Sequence, residues 1–354
     1  MTSRPIVVLA KESHLTDVSP GYEVPLISVA VLTFNHEKFL ARALESVYAQ
    51  EVRAPVEVII AVDASDDSTL SIARKFAVDA QFPTLVLESD VRLGMQLNAR
   101  RLMAATRGKY IALLEGDDYW LGTNKLEMQS TFLEEFPHVC GCATFAQVLI
   151  EPPLRREDIN WLSERIPNVS EGEISIAHLA TMRDMIPTAS LMVRGDRFRL
   201  LPEWLQDLPM FDWYFSIGSA AWGGLTLLGA ETSVYRLHTA GATLTTDYIR
   251  FASGFCAMLT HLCDETEGPR RAEIFDGLRE FTWYMASRAE NFGDGRAWEI
   301  LNDLSVKERK FLGSVSRKTR RWRLRLRFPV AYSVIQKFAK VFARRFTTSA
   351  EIRN

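Results

Sequence analysis

The segment EGDDYW at residues 115–120 places three acidic residues directly after an apolar run at residues 109–114. An apolar run of this length is typical of a buried strand. Carboxylates brought together repel one another, and burying them without compensation is expensive. A divalent cation offsets that cost, and Mg²⁺ or Mn²⁺ is commonly held by one or two carboxylates together with substrate phosphates. The segment therefore predicts a metal–diphosphate site, with capping of a helix near residues 124–136 as the alternative role of Asp117 and Asp118.

Polar residues follow other apolar runs in the same way. Residues 26–32 and 56–62 are β-branched and apolar, and a pattern typical of an amphipathic helix follows each of them. Thr33 and Asn35 come after the first run, and Asp63 comes after the second. Alternating strands and helices predict an α/β fold with a parallel sheet, in which ligands lie beyond the carboxyl ends of the strands. We therefore expect these polar residues and the acidic segment to converge on one crevice.

Further elements of this sheet are predicted along the chain. Residues 85–87 and 110–114 are expected to be strands, and residues 98–106 a helix. The run at residues 186–193 is strand-like and is expected to complete the sheet. Residues 151–173 contain several prolines and polar residues, and we expect them to form an irregular insertion on the acceptor side.

Five stretches occur in a fixed order between residue 25 and about residue 245: VLTFNH at 31–36, DASDDST at 63–69, GKYI running into EGDDYW and KL at 108–126, FDW at 211–213, and VYRLH at 234–238. Each stretch alone is weak, but together they resemble family 2 glycosyltransferases with the GT-A fold. The resemblance implies a Rossmann-like, mostly parallel sheet flanked by helices, with a C-terminal helical extension. It also implies inverting transfer of a sugar from a nucleotide-diphosphate donor, expected to carry UDP, to a hydroxyl of a glycan or lipid-linked acceptor. The expected process is surface polysaccharide synthesis.

The resemblance assigns contacts with the nucleotide sugar to several residues at strand ends. Asp63 would accept a hydrogen bond from the base N–H, with helix capping as its alternative role. Thr33 and Asn35 would contact the base and ribose, although turn chemistry is the alternative for Asn35. Asn98 lies in a predicted helix that faces the nucleotide in similar proteins. Glu115 would contact the ribose or a metal-bound water.

The resemblance also predicts which residues bind the metal cofactor, Mn²⁺ or Mg²⁺, and the diphosphate. Asp117 resembles the main metal ligand, and His238 would be a further ligand of the metal or of the diphosphate. Arg236 would neutralise phosphate charge or pair with an acid within the fold. The chain departs from the family where Val62-Asp63 replaces the frequent pair of aspartates. It departs again at residues 115–117, which read Glu-Gly-Asp where the family often has Asp-x-Asp.

Asp212 stands among aromatic residues in the stretch from Pro209 to Tyr214. Such surroundings raise the pKa of a carboxyl group towards values suited to a general base. By resemblance, this aspartate would deprotonate the acceptor hydroxyl, which attacks the anomeric carbon opposite the leaving diphosphate. A helix cap is the alternative role of Asp212. For the whole protein, the alternative is a catalytically inactive nucleotide-sugar-binding or scaffold protein of the same fold.

The net charge of −2 over 354 residues is unevenly distributed. Residues 317–354 carry twelve basic residues and one acid, so this segment has a charge of +11 and the preceding chain −13. Apolar residues recur there at helical spacing, and residues 317–346 therefore predict a basic amphipathic helix that binds an anionic membrane surface. Docking of this helix on the acidic body of the enzyme and binding of nucleic acid by the basic cluster are the alternatives, and no nucleic-acid partner is expected.

Four segments are expected along the chain. They are a leader at 1–24, a nucleotide-sugar-binding half at 25–150, an acceptor-side half at 151–245 and a helical extension at 246–354. No apolar run reaches the length of about 18 residues typical of a membrane span, and no secretory pattern opens the sequence. We expect a cytoplasmic protein that binds peripherally to the inner face of the plasma membrane.

Overall fold

The computed structural model describes residues 8–10, 24–159, 170–181, 185–245, 247–291 and 295. The chain divides into two compact units, residues 1–281 and residues 282–354. The sheet and the candidate site described below belong to the first unit. The predicted basic helix at residues 317–346 lies outside the described residues.

Strands and helices alternate through the first part of the chain, as the sequence predicts. They are β1 (Val8–Ala10), β2 (Ile27–Thr33), α1 (Leu40–Tyr48), β3 (Val56–Val62), α2 (Thr69–Val78), β4 (Thr84–Glu88), α3 (Met95–Ala105) and β5 (Tyr110–Glu115). The predicted strand at 85–87 and the predicted helix at 98–106 correspond to β4 and α3.

The second part of the chain mixes short strands, 3₁₀ turns and longer helices. Its strands are β6 (Tyr119–Trp120), β7 (Gly141–Ile150), β8 (Gly172–Ile174), β9 (Met192–Arg194) and β10 (Leu225–Leu237). Its helices are α4 (Lys125–Glu135), α5 (Ile176–Ala180), α6 (Gly195–Phe198), α7 (Asp212–Trp222), α8 (Ala242–Thr245), α9 (Tyr248–Glu265) and α10 (Gly268–Asn291). Short 3₁₀ turns lie at Arg156–Ile159, Thr188–Ser190 and Glu203–Asp207.

Within the described residues, ten strands form one sheet in the order β1-β4-β3-β2-β5-β9-β7-β10-β6, with β8 also paired to β10. The pairs from β1 to β5 are parallel, and so is the pair of β7 with β10. The pairs that involve β6, β8 and β9 are antiparallel. The predicted α/β fold, with a mostly parallel sheet, flanking helices and helices at the end of the described chain, is confirmed.

Strands β2 and β3 are buried along their whole length, which explains their continuous apolar runs. Helices α1, α2 and α4 cover one face of these strands, in a cluster that includes Val29, Val31, Val58 and Ile60. The register pairs Thr33 with Val62 and Leu32 with Glu115. The carboxyl ends of β2, β3 and β5 therefore meet at one edge of the sheet.

The run at residues 186–193 differs in part from the predicted strand. Only its end, from Met192, pairs in the sheet as β9, which lies antiparallel between β5 and β7. Before it, the N–H of Ser190 donates to the Pro187 carbonyl at 2.9 Å and closes a 3₁₀ turn. Pro187 has no N–H to donate to a strand partner, so extended pairing begins only beyond this turn.

The N-terminal residues Val8–Ala10, within the segment predicted as a leader, pair with Leu85–Leu87 as an edge strand of the sheet. The four-part division of the chain remains a prediction. In the part of the chain that the structure describes, no helix combines the length and apolar character needed to cross a membrane.

Candidate active site

A tight turn after β5 carries the acidic residues. The N–H of Asp118 donates to the Glu115 carbonyl at 3.0 Å, and the N–H of Gly116 donates to the Leu32 carbonyl at 2.8 Å. A Cβ atom on Gly116 would stand 2.7 Å from Thr33 Oγ1 and 2.9 Å from His36 Nδ1. Only glycine fits there, so the turn lies directly against the residues that follow β2.

Asp117 lies between two imidazole rings. Its Oδ2 atom is 3.0 Å from Nε2 of His238, at the end of β10, and 3.7 Å from Nε2 of His36. Burial alone would raise the pKa of Asp117, but these two histidines bring it below its ordinary value. Burial lowers the pKa of His36 and so disfavours the charged form of this ring. The site therefore presents a carboxylate flanked by two imidazole rings.

The side chain of Asp118 is hydrogen-bonded to strand β10 and does not cap helix α4. Its Oδ1 atom accepts a hydrogen bond from the backbone N–H of Arg236 at 2.7 Å. Helix α4 begins at Lys125, with Asn124 at its cap position, so neither Asp117 nor Asp118 is the cap residue. Burial and the carboxylates of Asp117 and Glu115 raise the pKa of Asp118 well above its ordinary value.

Glu115 lies close enough to both Asp117 and Asp212 for their charges to affect it. Burial, then the nearby charges of Asp117 and Asp212, raise the pKa of Glu115 well above its ordinary value. The Thr188 hydroxyl, in the 3₁₀ turn before β9, partly offsets this rise in pKa. Glu115 thus lies within electrostatic reach of both the predicted metal ligand and the predicted base.

Asp212 is the first residue of α7. Burial raises the pKa of Asp212 to about 6, although the N–H of Trp213 partly stabilises the ionised carboxylate. This pKa suits a group that takes up a proton near neutral pH. Phe211 occupies the cap position of α7, and no side-chain hydrogen bond caps this end of the helix, so Asp212 is not the cap residue. Arg270 binds the other end of α7 and donates to the Gly223 carbonyl at 3.4 Å.

Arg236 is held within the fold. Its Nε donates to the Asp117 carbonyl at 2.7 Å, and its guanidinium pairs with Glu151. The guanidinium also stands 4.8 Å from the centre of the Phe39 ring and 5.4 Å from that of Tyr119. These contacts correspond to the alternative role of Arg236, pairing with an acid, and its contact with phosphate remains a prediction.

Asp63 joins β3 to the loop after β4. Its carboxylate accepts hydrogen bonds from the backbone N–H groups of Leu93 at 2.7 Å and Gly94 at 2.8 Å. A third comes from the N–H of Ala64 at 3.0 Å. An ionised carboxylate has about four acceptor positions, so one is left over, and contact of Asp63 with a nucleotide base remains a prediction.

Asn35 and Asn98 make hydrogen bonds within the fold. Asn35 has a left-handed backbone with φ of 52°, and its Oδ1 accepts from the N–H of Asp66 at 3.0 Å, which corresponds to its alternative role in a turn. The Nδ2 of Asn98 donates to the Ala61 carbonyl at 3.1 Å, and its Oδ1 accepts from Nε of Arg101 at 2.8 Å. Contacts of these two residues with the nucleotide remain predictions.

Unpaired polar atoms surround the turn at Gly116. Within the described residues, the buried atoms Thr33 Oγ1, His36 Nδ1 and Asp118 Oδ2 have no hydrogen-bond partner. Such atoms are unfavourable unless a ligand or water satisfies them. They make this turn a candidate for binding a polar ligand.

The donor atoms at this turn suit a divalent cation that takes its remaining ligands from the substrate. Among the described side chains, no group of three His, Cys, Asp or Glu residues could hold a metal alone. Asp117 and His238 provide one carboxylate and one imidazole, and Mg²⁺-type sites complete their shell with phosphate oxygens and water. Binding of the metal remains a prediction, and the donor atoms of these two residues are compatible with it.

His36 and Thr188 had no predicted role, and Asp118 was predicted only as an alternative helix cap. His36 stands within the VLTFNH stretch, so its position beside the site could have been inferred from that motif. Asp118 stands within the acidic segment but pairs with the backbone of β10. No motif or pattern around Thr188 indicated that it lies near the site, because its proximity to Glu115 depends on how β9 enters the sheet.

The chain is similar to known proteins in sequence and in fold. The family model described as glycosyl transferase family 2 matches residues 28–195. The uncharacterized protein Rv1520 of Mycobacterium tuberculosis is 31% identical over 263 residues, which cover 71% of this chain and 72% of that protein. The GalNAc(5)-diNAcBac-PP-undecaprenol beta-1,3-glucosyltransferase of Campylobacter jejuni is 26% identical over 118 residues, 33% of this chain and 38% of that enzyme.

A solved structure with the same fold is that of S. aureus TarS 1-349 in complex with UDP-GlcNAc. It matches with a TM-score of 0.60 and 15% identity over 86% of this chain and 87% of that one. This likeness shows the fold, and the sequence matches show the family. The chain is a glycosyltransferase that belongs to glycosyl transferase family 2.

Proposed function

We propose that this glycosyltransferase transfers a sugar, with inversion, from a nucleotide-diphosphate donor to a hydroxyl group of a glycan or lipid-linked acceptor. The observation that carries the proposal is the position of Glu115 within electrostatic reach of both Asp117 and Asp212. The residue suited to the diphosphate and the residue suited to the acceptor therefore belong to one site. A relative named for transfer to an undecaprenol-linked glycan supports this class of acceptor.

The donor binds at the carboxyl edge of the sheet. Asp63 has one acceptor position left for a base N–H, and Thr33 has an unpaired hydroxyl at the turn of Gly116. UDP is our expected nucleotide, since TarS shares this fold and was solved with UDP-GlcNAc. Asp117 and His238 would hold Mg²⁺ or Mn²⁺, which stabilises negative charge on a leaving diphosphate when bound.

Asp212 acts as the general base. With a pKa of about 6, its carboxylate is mostly ionised at pH 7 and accepts the proton of the acceptor hydroxyl. The hydroxyl oxygen forms a bond to the anomeric carbon as the bond to the diphosphate breaks. Attack from the side opposite the leaving group inverts the anomeric configuration, and the proton remains on Asp212.

The basic segment at residues 317–346 directs the enzyme to an anionic membrane surface. The proposal rests on its charge and apolar periodicity in the sequence. We place the protein on the cytoplasmic side of the plasma membrane, where lipid-linked acceptors for surface polysaccharide are available.

A donor panel tests the proposed reaction. The protein is incubated with UDP-, GDP- and dTDP-sugars, Mn²⁺ and glycan or lipid-linked acceptors, and nucleotide release is measured with the anomeric configuration of the product. We expect acceptor-dependent release with inversion, and little release by the Asp212→Asn variant. Retained configuration would refute the mechanism, and donor binding without release would favour a scaffold role.

A further inference from the structure

A buried lysine lies behind the acidic turn, on helix α4. The side chain of Lys125 is fully buried. Its Nζ donates to the Ser190 carbonyl at 3.1 Å and to the side-chain oxygen of Gln129. It also stands 5.3 Å from the centre of the Trp120 ring. Within the described residues, no carboxylate forms an ion pair with this amino group.

The donors around Lys125 converge on the 3₁₀ turn at Thr188–Ser190. Nε1 of Trp120 donates to the Ala189 carbonyl at 2.9 Å. Nε2 of Gln129 donates to the same Ser190 carbonyl at 2.9 Å. The turn runs beside the end of β5, where the N–H of Leu113 donates to the Leu191 carbonyl at 3.2 Å, and the Thr188 hydroxyl partly offsets the rise in the pKa of Glu115. Side chains of β6 and α4 therefore hold the turn that lies next to Glu115 at the end of β5.

Stability alone gives no reason for a lysine at this position. Burial lowers the pKa of Lys125 to about 7, so its charged form is disfavoured in the fold. Replacing the amino group with an apolar side chain of similar volume removes the cost of burying it, which offsets the hydrogen bond that the side-chain oxygen of Gln129 loses. A methionine would fill the same space, but it could not donate to Ser190.

We propose that Lys125 is a positioning residue, which holds the Thr188–Ser190 turn so that Thr188 keeps Glu115 in place between Asp117 and Asp212. This inference rests on the proposed transfer reaction at that site. It predicts that loss of the Lys125 amino group impairs the reaction without weakening the fold. Few core substitutions behave in this way, since most lower stability.

The test compares Lys125→Met with Lys109→Met in the full chain. Lys109 is half-exposed and pairs with Glu134 on the surface, so the same chemical change there should leave every measurement unaltered. For Lys125→Met we expect a Tm at or above that of the wild type. We also expect faster amide exchange in peptides covering residues 186–192, and a kcat lowered by about 10 to 10²-fold, the scale of a small misplacement of a reacting group.

A double mutant separates positioning from a direct role. Thr188→Val removes the hydroxyl that contacts Glu115, so adding Lys125→Met to it should lower kcat little further, because both changes act through one contact. Additive losses would overturn the inference. Wild-type kcat and wild-type amide exchange in Lys125→Met would also overturn it. The same holds if the Lys125→Met variant does not fold, or if its Tm falls together with its activity. If the wild type releases no nucleotide from any donor, the proposed function fails, and the exchange measurement still decides whether Lys125 holds the turn.

Discussion

Replacing Asp212 with asparagine removes the proposed base while keeping the shape of the side chain. Because burial raises the pKa of Asp212 to about 6, the carboxyl group is ionised to about 90% at pH 7 and about 10% at pH 5. We expect wild-type kcat/KM to rise about tenfold between these pH values and then level off. The Asp212→Asn variant should be slower by about 10² to 10⁴-fold, the usual contribution of a general base, and should lose this pH dependence.

The raised pKa of Asp212 also predicts how stability depends on pH. The folded chain holds the proton more tightly than the unfolded chain, so the contribution to stability is present below the unfolded pKa and is lost as pH rises through about 6. A shift from 3.8 to about 6 corresponds to about 3 kcal/mol at most. At pH 7 the wild type carries the cost of a buried, ionised Asp212 carboxylate. Asparagine does not ionise, so the Tm of Asp212→Asn at pH 7 should not fall below that of the wild type.

The assay is nucleotide release between pH 5 and pH 8, with donor affinity measured by calorimetry. Asp207→Asn is the matched control, because Asp207 is exposed in the turn before α7 and should behave as wild type. Wild-type turnover in Asp212→Asn, or a wild-type profile that is flat through pH 6, would refute the reasoning. Loss of donor binding together with a lower Tm would assign Asp212 a structural role at the start of α7.

Three further predictions concern the metal, the turn and the basic segment. EDTA should abolish donor turnover and Mn²⁺ or Mg²⁺ should restore it, while Asp117→Ala should lose Mn²⁺ affinity in calorimetry; full activity after exhaustive removal of metal would contradict this. Gly116→Ala places a Cβ 2.7 Å from Thr33 Oγ1, so urea unfolding should show a loss of about 1–3 kcal/mol, and unchanged stability would show that the turn can shift freely. Truncation after Ser316 should release the protein from anionic liposomes but keep turnover on a soluble acceptor, and a truncated protein that misfolds would instead indicate that the segment packs on the enzyme.

Much of the fold was predictable because its main signals are local. The apolar runs that form β2, β3 and β5 are continuous because these strands are buried in the sheet. Polar residues at the ends of parallel strands meet at one edge, so the proximity of Thr33, Asp63 and Glu115 followed from their positions along the sequence. The roles of Asp117, His238 and Asp212 came from the resemblance of short motifs, which carry information about distant contacts that periodicity lacks.

By itself, the sequence determined the order of the elements, the edge of the sheet that carries the site and the residue types present there. Only the tertiary structure decided which partners those residues meet. Arg236 could have faced phosphate or an acid, and the fold places Glu151 beside it. Residues 186–193 could have paired throughout as a strand, but the 3₁₀ turn after Pro187 confines pairing to the end from Met192 and brings Thr188 close to Glu115. The physical reason is that propensity and periodicity act over a few neighbouring residues, whereas a hydrogen bond between distant segments depends on how whole strands are arranged in the sheet.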